Sequence, residues 1–286
     1  MFGKKKDQAA SVDVQQLVSD TDTGGRNPGP LMRKMLLVVA VAWSLFQLWI
    51  ASPLPFTLGV FVLNDTESRA IHLAFAVFLS FMAYPAFKRS PRAYVPVTDW
   101  VFALVGAFCA AYLFLFYREL AQRPGQPTPM DVYAAAIGVI LLLEATRRVL
   151  GLPMVIVAVV FLVYTFGGPY MPEMIAHRGA SLNRAASHYW LTTEGVFGIA
   201  LGVSSGFIFL FVLFGSLLDK AGAGNYFIKS AFALLGHMRG GPAKAAVVSS
   251  AATGIISGSS IANVVTTGTF TIPLMKRVGY RPDQAG

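Results

Sequence analysis

The sequence predicts an all-α integral membrane protein, with about six transmembrane helices followed by a re-entrant helical hairpin. Three observations carry this. Apolar residue types make up 55% of the 286 residues and charged types only 13%, against about 25% charged in a soluble domain. The charges avoid several runs of about 18 residues, long enough to cross a hydrocarbon core of about 30 Å as helix. The last long run lies between two basic flanks and has a small, polar middle. Backbone groups inside lipid must be satisfied within the spanning element, which favours helices, and the alternation of a membrane β-barrel is absent.

Residues 1–30 are polar and lack the apolar core of a cleaved signal peptide, so they read as a mobile cytoplasmic tail. The first apolar run covers residues 35–50, extended by Ala51, contains Trp43 and Trp49, and is closed by SPLP. The second covers 70–87, with His72 near its start. The third covers 100–117, between Asp99 and Arg118, and the fourth covers 131–147. The fifth, 152–166, ends at GGP. An amphipathic stretch, 174–190, reads either as a plain connector or as a segment along the membrane surface, with Tyr189 and Trp190 as interfacial anchors. The sixth run, 195–218, is bounded by Glu194 and Asp219. The first four runs show no polar stripe suited to a solute path, which gives them a structural task.

The net charge is +9. A basic balance can signal nucleic acid, but here the basic residues flank apolar runs, which points to membrane topology and not to nucleic acid. With the N-terminus inside, eighteen of the 23 Lys and Arg fall on the cytoplasmic side. The opposite side holds only Arg69, Arg118, Arg123, Arg178 and Arg184. This places six spans in a cytoplasmic (inner) membrane with the N-terminus cytoplasmic.

Residues 242–275 read PAKAAVVSSAATGIISGSSIANVVTTGTFTIPLM. Arg239 and Lys244 precede the segment and Lys276 and Arg277 follow it, so both flanks belong on one side. Each half is short for a full span, and Pro242 and Pro273 mark the outer ends. The pattern is a re-entrant hairpin with its tip near mid-membrane, where irregular backbone survives only against protein or a cavity. Ser257, Ser259, Ser260 and Asn263 offer side-chain oxygens suited to a hard cation, and Gly258 lets the chain turn. Thr266, Thr267 and Thr269 line the returning arm. A broken helix presents free carbonyls to a cation and a positive N-terminus to an anion. The same small residues equally serve close helix packing.

Glu144 and Arg148 stand four apart on one predicted helix, with Arg147 beside them, and read as a structural ion pair. The four histidines have no metal-ligand spacing, and no nucleophile–base arrangement points to an enzyme or to a bound cofactor. Cys109, the single cysteine, lies in an apolar run and can form no intrachain disulfide.

The segment GHMRGGPAKAAVVSSAATGIISGSSIANVVTTGTFTIPLMKRVGY resembles the fused permeases of tripartite ATP-independent periplasmic (TRAP) transporters, in the branch served by TAXI-type binding proteins. LLLEATRRVLGLP, SHYWLTTEGVFGIALGVSSGFIFLFVLFG and LDKAGAGNYFI are similar to the same branch. The resemblance covers roughly residues 30–286. It implies a four-helix Q-type domain over 31–150, a connecting transmembrane helix over 151–170, and the N-terminal part of an M-type (DctM-like) transport domain over 171–286. It further implies a periplasmic solute-binding partner, carboxylate substrates, Na⁺ as coupling ion, and an elevator-like motion of the M-type domain. In this family SGSSIAN is the first hairpin, whose Ser and Asn positions help hold Na⁺. That maps to Ser257, Ser259, Ser260 and Asn263. The family continues through a second hairpin, whereas this sequence stops at RPDQAG, so residues 1–286 alone are not expected to catalyse coupled transport. Two competing classes are a non-transporting membrane scaffold that docks a partner and an ion channel.

Overall fold

The computed structural model describes residues 25–87, 89–256 and 260–286. The expected polar tail over residues 1–24 lies outside the described residues. All regular elements among the described residues are helical. Among the described residues, five helices are long and apolar enough to cross a membrane: Pro30–Ala51, Val97–Leu115, Pro129–Leu150, Leu152–Tyr170 and Ile199–Leu218. The second apolar run also forms a helix, Asp65–Ala83, but its N-terminal end carries Asp65, Glu67 and Arg69 and is too polar to join that set. Packing divides the chain into two units. The described part of one is Gly25–Phe209, and that of the other is Leu210–Gly286.

In the first unit, α1 (Pro30–Ala51) starts on Pro30, whose fixed φ suits the first helical position, and stops at Ser52 before Pro53. α2 (Asp65–Ala83) begins with a capping box. Asn64 Oδ1 accepts from Glu67 N–H at 2.9 Å, and the Glu67 carboxylate accepts from Asn64 N–H at 2.9 Å. The arrangement satisfies two orphan donors at the helix start. α3 (Val97–Leu115) follows Pro96. α4 (Pro129–Leu150) combines Pro129 with a second capping box, formed by Thr128 and Asp131, and ends on Arg147 and Arg148, favourable against the helix dipole. Gly151, at φ 86°, makes the turn into α5 (Leu152–Gly167).

The core comes from small residues that let α2 and α3 approach closely. A Cβ at Gly106 would sit 2.7 Å from Val77 Cγ1. Ala70, Leu73, Val77 and Phe81 of α2 meet Ala103, Ala110 and Leu113 of α3 in one buried cluster, spaced as a helical face requires. The outward faces are apolar as well. Leu37, Val41, Leu45 and Leu48 of α1 are exposed, and α5 has no buried residue. A soluble monomer rarely carries so continuous an apolar surface; the acyl chains of a bilayer are its fitting solvent.

After a short single-turn helix at Gly168–Tyr170 come the helical turn Leu182–Ala186 and a wider turn, Ser187–Leu191. Here the structure corrects the sequence reading. Trp190 is not an interfacial anchor: it is 1% exposed. Its indole N–H donates to the Cys109 carbonyl at 3.0 Å, and its ring fills the space that Gly138 of α4 leaves open. A large ring gains more from filling a core than from the headgroup region, and its N–H here has a partner. Phe197 meets this ring edge-on at 5.4 Å. Arg69 reaches from α2 to the Phe197 carbonyl at 3.1 Å, so this connection is sewn into the helix cluster.

The second unit contains the remainder of helix Phe209–Lys220, then α6 (Ala223–Leu235), α7 (Gly241–Ile256) and α8 (Ser260–Arg277). Gly222, at φ 89°, makes the turn before α6. α7 packs on both α6 and α8. The two arms of the expected hairpin are the helices Gly241–Ile256 and Ser260–Arg277, and residues 257–259 between them lie outside the described residues. One boundary differs: α8 continues through Pro273 to Arg277. Proline removes one ladder bond, but Lys276 and Arg277 favour the last turn, and Gly279, at φ 101°, ends it.

Candidate functional site

α7 and α8 pack together, and each carries a stripe of mostly small or hydroxyl-bearing residues at four-residue intervals. On α7 these are Gly241, Ala245, Ser249 and Thr253, all buried. On α8 they are Asn263, Thr267, Thr271 and Met275, of which the last three are buried. Side chains four apart stack on one helix face, so each helix presents a continuous narrow stripe. The stripe hydroxyls are satisfied within their own helices. Thr253 donates to the Ser249 carbonyl at 2.8 Å, Thr267 to the Asn263 carbonyl at 2.7 Å, and Thr271 to the Thr267 carbonyl at 2.8 Å. Ser249 donates to the Ala246 carbonyl at 3.1 Å.

Asn263 is the exception. Its side-chain N–H₂ crosses to α7 and donates to the Ser250 carbonyl at 3.1 Å and the Ser250 hydroxyl at 3.2 Å. A carbonyl can only accept, so this contact fixes which end of the amide faces α7. The other end, Oδ1, is buried and has no partner among the described residues. A buried acceptor left bare costs about 1–3 kcal/mol. A hard cation is the kind of partner that removes such a cost.

Ser257, Gly258 and Ser259 lie outside the described residues, and so do the side chains of Ser260, Thr266 and Thr269. Thr267 is buried, with its hydroxyl committed to the Asn263 carbonyl. The sequence reading passed over Ser249, Ser250, Thr253 and Thr271. For Ser249, Thr253 and Thr271 the signal was present in the spacings 245–249–253 and 263–267–271, which repeat a small or polar residue every four positions on both arms; Ser250 lies off that spacing.

A second polar cluster lies at one end of the first unit. Glu144 accepts from Arg148 Nε at 2.8 Å and from Arg147 Nε at 2.7 Å. Arg148 continues to Asp99 at 2.9 Å, and the other oxygen of Asp99 holds Arg26. Arg26 also donates to the carbonyls of Phe81 and Met82, and Arg148 lies 4.7 Å over the Phe81 ring. Arg26, Asp99 and Arg148 are almost fully buried, with side-chain exposures of 0%, 4% and 1%. Deep guanidinium groups persist where carboxylates, carbonyls and a ring face together answer them.

A family model for the tripartite ATP-independent periplasmic transporter, DctM component, matches residues 137–286. A curated relative from Rhodobacter capsulatus, the C4-dicarboxylate TRAP transporter large permease protein DctM, is 38% identical over 76 residues. That alignment covers 27% of this chain and 17% of the relative. No solved structure matches.

Proposed function

We propose, from the premise that the chain belongs to the DctM component family of tripartite ATP-independent periplasmic transporters, that it forms part of a secondary-transport permease. It takes up carboxylate solutes, of the C4-dicarboxylate kind named for its relative, from an extracytoplasmic binding protein of the TAXI type, and it couples their import to Na⁺. In this reading residues 31–150 are a Q-type stator, 151–170 connect, and 171–286 belong to the moving M-type domain. The chain sits in the inner membrane with its N-terminus cytoplasmic, a placement that the basic-residue split supports.

The observation that carries the coupling is Asn263. Its amide is anchored to α7 by two donated bonds, and its Oδ1 is buried with no partner among the described residues. A cation bound there satisfies Oδ1 together with tip oxygens, and Ser257, Ser259 and Ser260 stand in sequence where such oxygens are needed.

Asn263→Ala in the reconstituted transporter, binding protein included, is expected to raise the half-saturating Na⁺ concentration about tenfold, the equivalent of one lost buried ligand. Membrane abundance should change little. Uptake measured against Na⁺ for this variant and for Ser257→Ala, Ser259→Ala and Ser260→Ala decides the matter. An unchanged half-saturating concentration in all four would leave helix packing as the role of these residues.

A further inference from the structure

A cavity of about 250 Å³ lies in the first unit, on the side of the helix cluster where α2 and α4 begin. Its walls are the start of α2 at Thr66, the end of α3 at Leu113, the loop around Arg123, and the turn from Ser187 to Thr193. Arg123 is the one charged residue among its lining. The hydroxyls of Thr66, Ser187 and Thr193 have no hydrogen-bond partner among the described residues. Leu113, Leu120 and Leu191 supply an apolar floor.

The neighbouring carboxylate does not occupy this space. Asp131 is 0% exposed and does not line the cavity. It is already held by the Tyr112 hydroxyl at 2.6 Å and the Thr128 N–H at 2.7 Å, and it meets Arg123 through a single nitrogen at 3.2 Å. Asp131 therefore acts as a backstop. It fixes one edge of the guanidinium, while the Arg123 side chain, 27% exposed, keeps further donors for the cavity. A guanidinium fork, three idle hydroxyls and an apolar floor together suit a carboxylate on a short apolar stem better than a bare halide or a neutral polar solute.

We propose that this cavity is a carboxylate-binding site with Arg123 as its anchor and Thr66, Ser187 and Thr193 as supporting donors. The carboxylate belongs either to a free solute or to an acidic side chain presented by a partner protein; the chemistry is the same. The assignment concerns the first unit alone and stands apart from cation coupling at the hairpin.

Saturation-transfer NMR on the purified chain in detergent micelles tests it, with butyrate, the neutral isostere butyramide, and N-acetylglutamate α-amide as probes and empty micelles as background. Butyrate should bind saturably and butyramide should not compete. Arg123→Gln should weaken butyrate at least tenfold. Thr193→Val, which leaves the Arg123–Asp131 pair in place, should weaken it about threefold, with helix content and melting unchanged. Tighter binding of the glutamate amide than of butyrate identifies a partner's side chain as the source, and the reverse order identifies a free solute; either order supports the site. Equal signals for butyrate and butyramide, or wild-type affinity in Thr193→Val together with any folded Arg123→Gln protein, would overturn it.

Discussion

Two regions of this chain bury polar atoms in opposite ways. At one end of the first unit, full charges are gathered: Arg26, Arg147 and Arg148 answered by Asp99 and Glu144, a net of one positive charge. Along the α7–α8 pair the buried polar groups are neutral and satisfied by their own helices. Each region leaves one buried atom without a partner among the described residues, and the two atoms differ in kind. In the charge cluster it is a donor, Arg26 Nε; in the hairpin it is an acceptor, Asn263 Oδ1. A cation is repelled by the first and attracted to the second. Polar groups that fix a fold and polar groups that receive an ion are thus told apart by the sign of what remains unanswered.

The largest effect should come from breaking the charge cluster. Asp99→Ala leaves two buried guanidiniums without their shared carboxylate and is expected to cost about 3–5 kcal/mol. The loss is read as a lower melting temperature and reduced membrane abundance. Arg26→Met should cost less, because Asp99 keeps Arg148. Next comes Gly138→Ala, which drives a methyl into the Trp190 indole. Overpacking of this kind costs about 1–3 kcal/mol, and a compensating Trp190→Phe should recover part of it in a double-mutant comparison of melting.

Asn263→Ala sharpens the contrast from the other side. It removes two donated bonds but also the bare oxygen, so stability should move by less than about 1 kcal/mol, while the Na⁺ dependence of uptake shifts strongly. A large stability loss at Asn263 with unaltered Na⁺ dependence would erase the distinction between the regions. The smallest effect is expected at Thr271→Val. Its hydroxyl serves only the Thr267 carbonyl of the same helix, so about 0.5 kcal/mol separates the variants in thermal melts.

Much of the helical layout was legible in the sequence because hydrophobic runs and caps are local signals. The run at 35–50 became Pro30–Ala51, and the run at 152–166 became Leu152–Gly167. The hairpin arms fell at 241–256 and 260–277 against an expected 242–275. What escaped was long-range. Arg26 was grouped with the polar tail, and Asp99 was seen only as a flank of the third run, yet they meet across 73 positions. No periodicity encodes such a pairing; the sole hint was a carboxylate at the threshold of an apolar run. Trp190 was misplaced for a related reason. Next to Tyr189 in an amphipathic stretch it looks interfacial, and only the absence of a side chain at Gly138, 52 positions earlier, makes a hole for it. At the candidate site, composition pointed to the tip, while Ser250, which holds the Asn263 amide, was hidden among residues that looked like generic packing.

The Trp190 wedge has a practical consequence. The carbonyl it binds belongs to Cys109, the chain's single cysteine, a residue 2% exposed on the buried face of α3. A maleimide cannot alkylate a sulfur so enclosed. The native chain therefore behaves as a silent background for spin labels and fluorophores. A single reporter thiol placed at the exposed positions Arg92, Glu173 or Lys276 can be tagged without first stripping the chain of its own cysteine.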